Sequence, residues 1–219
     1  RAFGDRDRAA CIEQVEAVRG LEHHLVAGQR KAGFKQALGF GFELAELLAQ
    51  RNEHDPALAL LNEVLDTEPG QDLTERVRLR LGGIHAAKGN LKGAMQQFDA
   101  VASNPKSQVL GWAHYRAGEA LIQNQQYPEA IKRLVILRDH PSWNNVAGLT
   151  DRALLRLGYA YAMAKSWDES RGAYERVVNQ FSSSPWADDA RYGIGWASQQ
   201  QKNLDGAANA YSQVVARTA

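Results

Sequence analysis

The chain has 219 residues, 44% of them hydrophobic, enough for one large or two small domains with a real core. Charge is nearly balanced, 26 Lys and Arg against 25 Asp and Glu, so composition does not point to a nucleic acid or another polyanion as partner. One cysteine, Cys11, excludes an internal disulfide and a Cys-based zinc site, and no apolar run reaches the ~18 residues of a membrane span.

From the N-terminus, Arg1 follows no signal-peptide pattern and reads as a processing or cloning cut. Residues 8 to 27 read as a long helix, with Cys11/Val15/Val18 and Leu21/Leu25 at helical spacing and Cys11 as a small buried residue. Gly28 to Gly33 reads as a basic turn, with helix resuming by Phe34 and an entry kink at Gly39-Phe40-Gly41. Residues 1–37 are therefore expected to form an N-terminal helix that is half of a degenerate repeat, or a cap.

Residues 38–219 carry a pattern that recurs five times. A small residue is followed four positions later by a large apolar one and three later by an aliphatic. The sets are Ala57/Leu61/Val64, Ala94/Phe98/Val101, Ala130/Leu134/Leu137, Ser170/Tyr174/Val177 and Ala207/Tyr211/Val214. Their first members lie 37, 36, 40 and 37 residues apart, a period that marks a stacked repeat array. Upstream of each set stands a second pattern on one helix face: Leu44-Ala45/Leu48, Leu81-Gly82/His85, Ala117-Gly118/Leu121, Leu157-Gly158/Tyr161 and Ile194-Gly195/Ser198. The small residue in each lets the neighbouring helix approach, which outweighs the ~1 kcal/mol helix cost of Gly.

Between the two helices of each period stand Asn52-Glu53, Gly89-Asn90, Gln125-Gln126, Lys165-Ser166 and Lys202-Asn203. Gly and Asn tolerate the left-handed conformation that ends a helix, and Pro56 and Pro128 then fit the first turn of the next. Pro69, Pro105, Pro141 and Pro185 stop one hairpin before the next begins.

These residues resemble the tetratricopeptide repeat (TPR) family. The match is best in Leu157-Gly158-Tyr159-Ala160-Tyr161 with Trp167, Ser170 and Tyr174, and in Ile194-Gly195 with Leu204, Ala207 and Tyr211. The resemblance implies an all-α fold: a right-handed α-solenoid superhelix of TPR-like helical hairpins, about five repeats starting near 38, 75, 111, 151 and 188. Periods of 36–40 exceed the ~34 of the family, so the turns between repeats carry extra residues. The aromatic usual near the start of the first helix is replaced by Gly41, Arg78, His114, Leu154 and Arg191. The Val177–Ala190 segment is loosely similar to bacterial cell-envelope repeat proteins of the Tol-Pal coordinator and outer-membrane assembly lipoprotein type. That likeness favours the periplasm or cell envelope over the cytoplasm.

Catalytic signatures do not emerge. His23, His24, His54, His85, His114 and His140 form no HExxH pair and read as structural. Ser182-Ser183-Ser184 is a turn rather than a nucleophile elbow, and neither metal nor cofactor is expected. The family register places on an inner groove Arg76 and Arg80, then Trp112, Tyr115, Arg116 and Glu119, then Arg152, Arg156 and Tyr159, then Tyr192 and Trp196. Arg76/Arg80 and Arg152/Arg156 are each four apart, so each pair shares a helix face. Leu79, Gly83 and Arg116 stand where the carboxylate-clamping branch of the family carries a Lys and two Asn, which excludes that branch.

The expected function is a non-catalytic scaffold holding an acidic peptide or partner protein with apolar anchors. One alternative is a structural spacer or oligomerisation segment of a larger envelope protein. Another is an accessory domain of an enzyme whose catalytic part lies elsewhere. Tyr211, Val214 and Val215 on the last hairpin are expected to lie exposed, as in a piece cut from a longer array, and to allow self-association there.

Overall fold

The computed structural model describes residues 27–218, and side chains from 38 to 216. Ten α-helices occupy these residues: α1 Ala27–Gln50, α2 His54–Asp66, α3 Gln71–Ala87, α4 Leu91–Ala102, α5 Leu110–Gln123, α6 Tyr127–Asp139, α7 Thr150–Met163, α8 Trp167–Gln180, α9 Ala187–Gln200 and α10 Leu204–Thr218. No strand occurs among them, and the fold is an all-α solenoid of helical hairpins. Contacts divide the chain into two compact units, Arg1–Gln97 and Phe98–Ala219.

Hairpins form because each breaker closes the first helix in one way. Asn52, Gly89, Gln125, Lys165 and Lys202 all have φ between 58° and 74°. The N–H of the following residue returns to a carbonyl five positions back: Glu53 to Leu48, Asn90 to His85, Gln126 to Leu121, Ser166 to Tyr161 and Asn203 to Ser198, each at 2.9 Å. This left-handed cap satisfies carbonyls that the helix end would leave open. Asn90 and Asn203 also accept from the N–H of Gly93 and Gly206, at 2.9 and 3.0 Å, and so cap the second helix.

The chain before the first hairpin differs from expectation. Gly28 to Gly33 is not a turn and Gly39 to Gly41 does not break the helix; both lie inside α1. The physical reason is tertiary: Phe42, Leu44, Ala45 and Leu48 of the same helix are buried against Leu61, Val64 and Val77, and packing overrides local propensity. The Cys11, Val15, Val18, Leu21 and Leu25 pattern lies outside the described residues.

In unit 1, α1 packs on α2 and α2 on α3. Ala57, Leu61 and Val64 are buried there with Leu81 and Ile84. In unit 2, α5 through α10 pack in succession, and the first helix α7 also touches the first helices α5 and α9. The repeated sets are buried throughout the first four periods; in the fifth only Ala207 is.

Helix contact in unit 2 is set by glycine. A Cβ on Gly158 would come within 2.6 Å of the Tyr174 ring, and one on Gly193 within 2.5 Å of the same ring. Gly195 stands in the same relation to Tyr211, at 2.5 Å, and Gly118 to Leu134, at 2.7 Å. Ser170, in a position otherwise held by Ala, donates to the Gly158 carbonyl at 2.8 Å. The longest period comes from the segment between α6 and α7. There Trp143 stacks on His140 at 4.1 Å and Thr150 Oγ1 bonds the Trp143 carbonyl and the Val146 N–H.

His114 fills the position of a missing aromatic, its Nδ1 buried without a hydrogen-bond partner and its ring 6.1 Å from Trp143. Burial lowers its pKa below 6.5; Arg133 and His140 add to this, and Asp99 opposes it.

Two outcomes follow from this packing. Gly158→Leu should destabilise by ~1–3 kcal/mol through overpacking against Tyr174. Hydrogen exchange should show protection lost first in α7 to α9, because coupling in solenoids runs between neighbours. His114 is held neutral, so its contribution is present above pH 6.5 and fades as pH falls through its lowered folded value. Urea midpoints measured on both sides of pH 6.5 should therefore drop on the acid side, and His114→Gln should flatten that drop.

Candidate functional site

The side chains expected on an inner face come from first helices, where burial alternates by helical geometry. On α7, Leu157 and Gly158 face inward and are buried, which leaves Arg156 and Tyr159 exposed on either side. On α9, Gly193 and Gly195 are buried, Tyr192 is 60% exposed and Trp196 is half-buried.

In unit 1, Arg80 of α3 pairs with Glu46 of α1, its Nε at 2.8 Å from Oε1. Arg76, exposed, lies with its guanidinium carbon 4.7 Å from the Phe42 ring centre, a cation–π contact. Both expected arginines of this unit thus have a partner within it.

In unit 2, Glu119 of α5 is the hub. Its Oε1 accepts from the Tyr115 hydroxyl at 2.7 Å and from Arg156 Nε at 3.3 Å, while Oε2 accepts from Arg116 Nη1 at 3.1 Å. Arg156 comes from the next first helix, so the Arg156–Glu119 pair repeats the Arg80–Glu46 pair one unit earlier. Each joins an arginine to a glutamate about one period upstream. The Glu119 side chain is 17% exposed, whereas Arg116 and Arg156 keep 48% and 45% of theirs. Burial, then the Glu119 charge and its hydrogen bond, push the Tyr115 hydroxyl up to about 12.

The expected aromatic side chains each meet another ring. Trp112 meets Tyr115 edge-on at 5.9 Å. Tyr159 meets Tyr127 at 6.5 Å, and Trp196 meets Trp167 at 5.7 Å, both edge-on. Tyr192 lies 5.5 Å from Tyr211. The ring partners Tyr127, Trp167 and Tyr211 were not singled out as site residues. A signal existed, since Tyr127 and Trp167 each open a second helix and lie 40 residues apart, one local period.

Arg152 stands elsewhere. Its guanidinium carbon lies 5.7 Å over the Trp186 ring. With Asp151, Ser184 and Trp186 it lines a polar cleft of about 430 Å³ between the α6–α7 and α8–α9 connections. The buried Asp151 accepts there from the Ser184 hydroxyl at 2.6 Å. So Arg156 joins the Glu119 cluster and Arg152 does not.

Chemically, the cluster offers two half-exposed guanidinium groups sharing one carboxylate, beside exposed phenol rings. Guanidinium groups of this kind can donate to carboxylates, and phenol rings can serve as apolar platforms. Among the described residues no group of His, Cys, Asp or Glu is placed to hold a metal ion, and no helix is long and apolar enough to cross a membrane.

Removing the shared acceptor should be measurable. Glu119→Gln should lower the Tyr115 pKa from about 12 while burial keeps it above 10.0, read by NMR of ring-labelled tyrosine. Because the folded pKa is raised, the stability linked to Tyr115 is present below pH 10.0 and fades toward about 12. The same variant should lose roughly 1.5–3 kcal/mol, the scale of hydrogen bonds to a charged group.

The tetratricopeptide repeat profile matches residues 42–107 and 115–185, and a second tetratricopeptide repeat profile matches 189–217. No curated protein matches the chain. Among solved structures, MamA from Desulfovibrio magneticus RS-1 is similar at 20% identity, covering 81% of this chain and 93% of that one, with a TM-score of 0.66. BtubC from P. vanneervenii is similar at 15% identity over 96% and 89% of the two chains, TM-score 0.72. YrrB, described as a TPR protein with an unusual peptide-binding site, is similar at 20% identity over 80% and 84%, TM-score 0.60. At these identities the likeness is one of fold.

Proposed function

Because the chain belongs to the tetratricopeptide repeat family, we propose that it is a non-catalytic interaction scaffold whose unit 2 holds a partner segment. The segment lies across the face of α5, α7 and α9. The observation that carries this reading is half-exposed Arg116 and Arg156 meeting on Glu119, with Tyr159 exposed one turn along α7 from Arg156 and Tyr192 exposed on α9. The peptide-binding site of the similar YrrB structure supports it.

The partner carries apolar or aromatic anchors and at least one carboxylate. Glu119 already neutralises one of the two guanidinium groups, so the cluster keeps one positive charge in excess. Exposed ion pairs contribute only ~0–1 kcal/mol each. The rings therefore supply most of the affinity, and the arginines supply orientation and association rate. Stacked helices fix these side chains in advance, so an extended ligand bears most of the ordering cost.

The test uses a partner recovered by pull-down with the wild-type chain. Tyr159→Ala and Tyr192→Ala should each weaken binding by ~1–2 kcal/mol, about 5- to 30-fold. Arg116→Glu with Arg156→Glu should slow association and reduce its salt dependence. Unchanged affinity in both tyrosine variants and unchanged association kinetics in the double variant would move the binding surface off this face.

A further inference from the structure

The polar cleft between the α6–α7 and α8–α9 connections takes no part in the inner-face reading. Its volume of about 430 Å³ falls within the about 300–1,000 Å³ of small-molecule sites. Asp151 and Arg152, the second and third residues of α7, both line it, with Ser184 and Trp186 from the α8–α9 connection.

Neither charged residue of this cleft is fully bonded. Every other arginine of unit 2 with a described side chain donates to an oxygen of the chain. Arg152 makes no such bond among the described residues: its guanidinium rests on the Trp186 ring, and its Nε is buried without an acceptor. Asp151 is 3% exposed. Its Oδ2 accepts from the Ser184 hydroxyl at 2.6 Å, but its Oδ1 is buried without a donor. Successive residues of a helix point about 100° apart, and these two atoms do not satisfy each other. Buried polar groups of native proteins are nearly always hydrogen-bonded, so two orphans in one cleft call for a partner from outside the chain.

We propose that this cleft binds a free α-amino acid. Its α-carboxylate accepts from the Arg152 guanidinium, a charge-assisted pair of fixed geometry, and its α-ammonium donates to Asp151 Oδ1. Such a ligand carries an acceptor pair and a cationic donor on one carbon, which matches a guanidinium and a carboxylate on neighbouring residues. A lone anion would be set against Asp151 and a lone cation against Arg152, each a charge taken from water without full compensation. A peptide terminus brings one of the two charges and fits half the site. Pro185 and Trp186 give the ligand side chain an apolar wall. No residue of the Arg116–Glu119–Arg156 cluster lines the cleft, so the proposal does not rest on the inner-face reading.

The probes are the common α-amino acids, each titrated to millimolar concentration into the full chain. The readout is the Trp186 indole N–H signal in NMR, assigned by its loss in Trp186→Phe. At least one amino acid should give a saturable shift of this signal. Its N-acetyl derivative, which lacks the ammonium, and its α-carboxamide, which lacks the carboxylate, should each bind at least ~10-fold more weakly. Arg152→Gln should weaken binding as much; it removes no hydrogen bond within the chain, and a wild-type-like thermal unfolding curve would verify that the fold is kept. The two derivatives test the same point on the wild-type chain. Arg116→Glu with Arg156→Glu, the variant that tests the inner face, should leave the titration unchanged. No saturable shift with any amino acid would overturn the proposal and leave water as what completes the two orphans. Equal binding of the N-acetyl derivative would overturn it in favour of a peptide C-terminus. Equal binding of the carboxamide, binding that survives Arg152→Gln, or loss in the arginine double variant would overturn it as well.

Discussion

The ring of Tyr174 lies between two backbones that carry no side chain, Gly158 in its own hairpin and Gly193 in the next first helix. Close packing leaves no room for even one methyl at either place. That single constraint sets the spacing of α7, α8 and α9, and with it the orientation of everything on their other side. Since Leu157 and Gly158 must face α8, Arg156 and Tyr159 must face away. Arg156 thereby reaches Glu119 of the preceding first helix, and Tyr159 reaches Tyr127. Ser170 holds the same junction from the second helix by bonding the Gly158 carbonyl. Burial accordingly raises the Tyr174 pKa, with Tyr159 adding to it.

Much of the hairpin architecture was legible because it rests on local chemistry. Each of the five breakers adopts the left-handed conformation at its first residue, including Gln125, Lys165 and Lys202, which have no special liking for it. Their side chains did not announce the turn; their position after a run of helical apolar spacing did. The α1 helix was misread for the converse reason. Gly28, Gly33, Gly39 and Gly41 are local signals for a break, whereas the burial of Phe42, Leu44 and Leu48 is a tertiary fact that overrides them.

The site was legible in kind but not in pairing. Helical register identified which arginines and aromatics lie on first helices. It did not show that Arg80 and Arg156 each close on a glutamate one period upstream, nor that Arg152 turns to Trp186. The separations of 34 and 37 residues between each Glu and its Arg were present in the sequence, but only a period-aware reading of charges would have found them. Ring-on-ring contacts depend on rotamers and are further from sequence still.

Five of the polar links between neighbouring hairpins share nearly one reach. Lys88 pairs with Asp55, Arg80 with Glu46, Arg133 with Asp99, Ser184 with Asp151 and Gln201 with Asp168, every one spanning 33 or 34 residues. Each bond therefore laces a hairpin to its immediate neighbour. Under tension such a molecule behaves as a row of stitches. A pulling force meets one set of laces at a time, and tearing the outermost releases about one period of chain while the next set still holds.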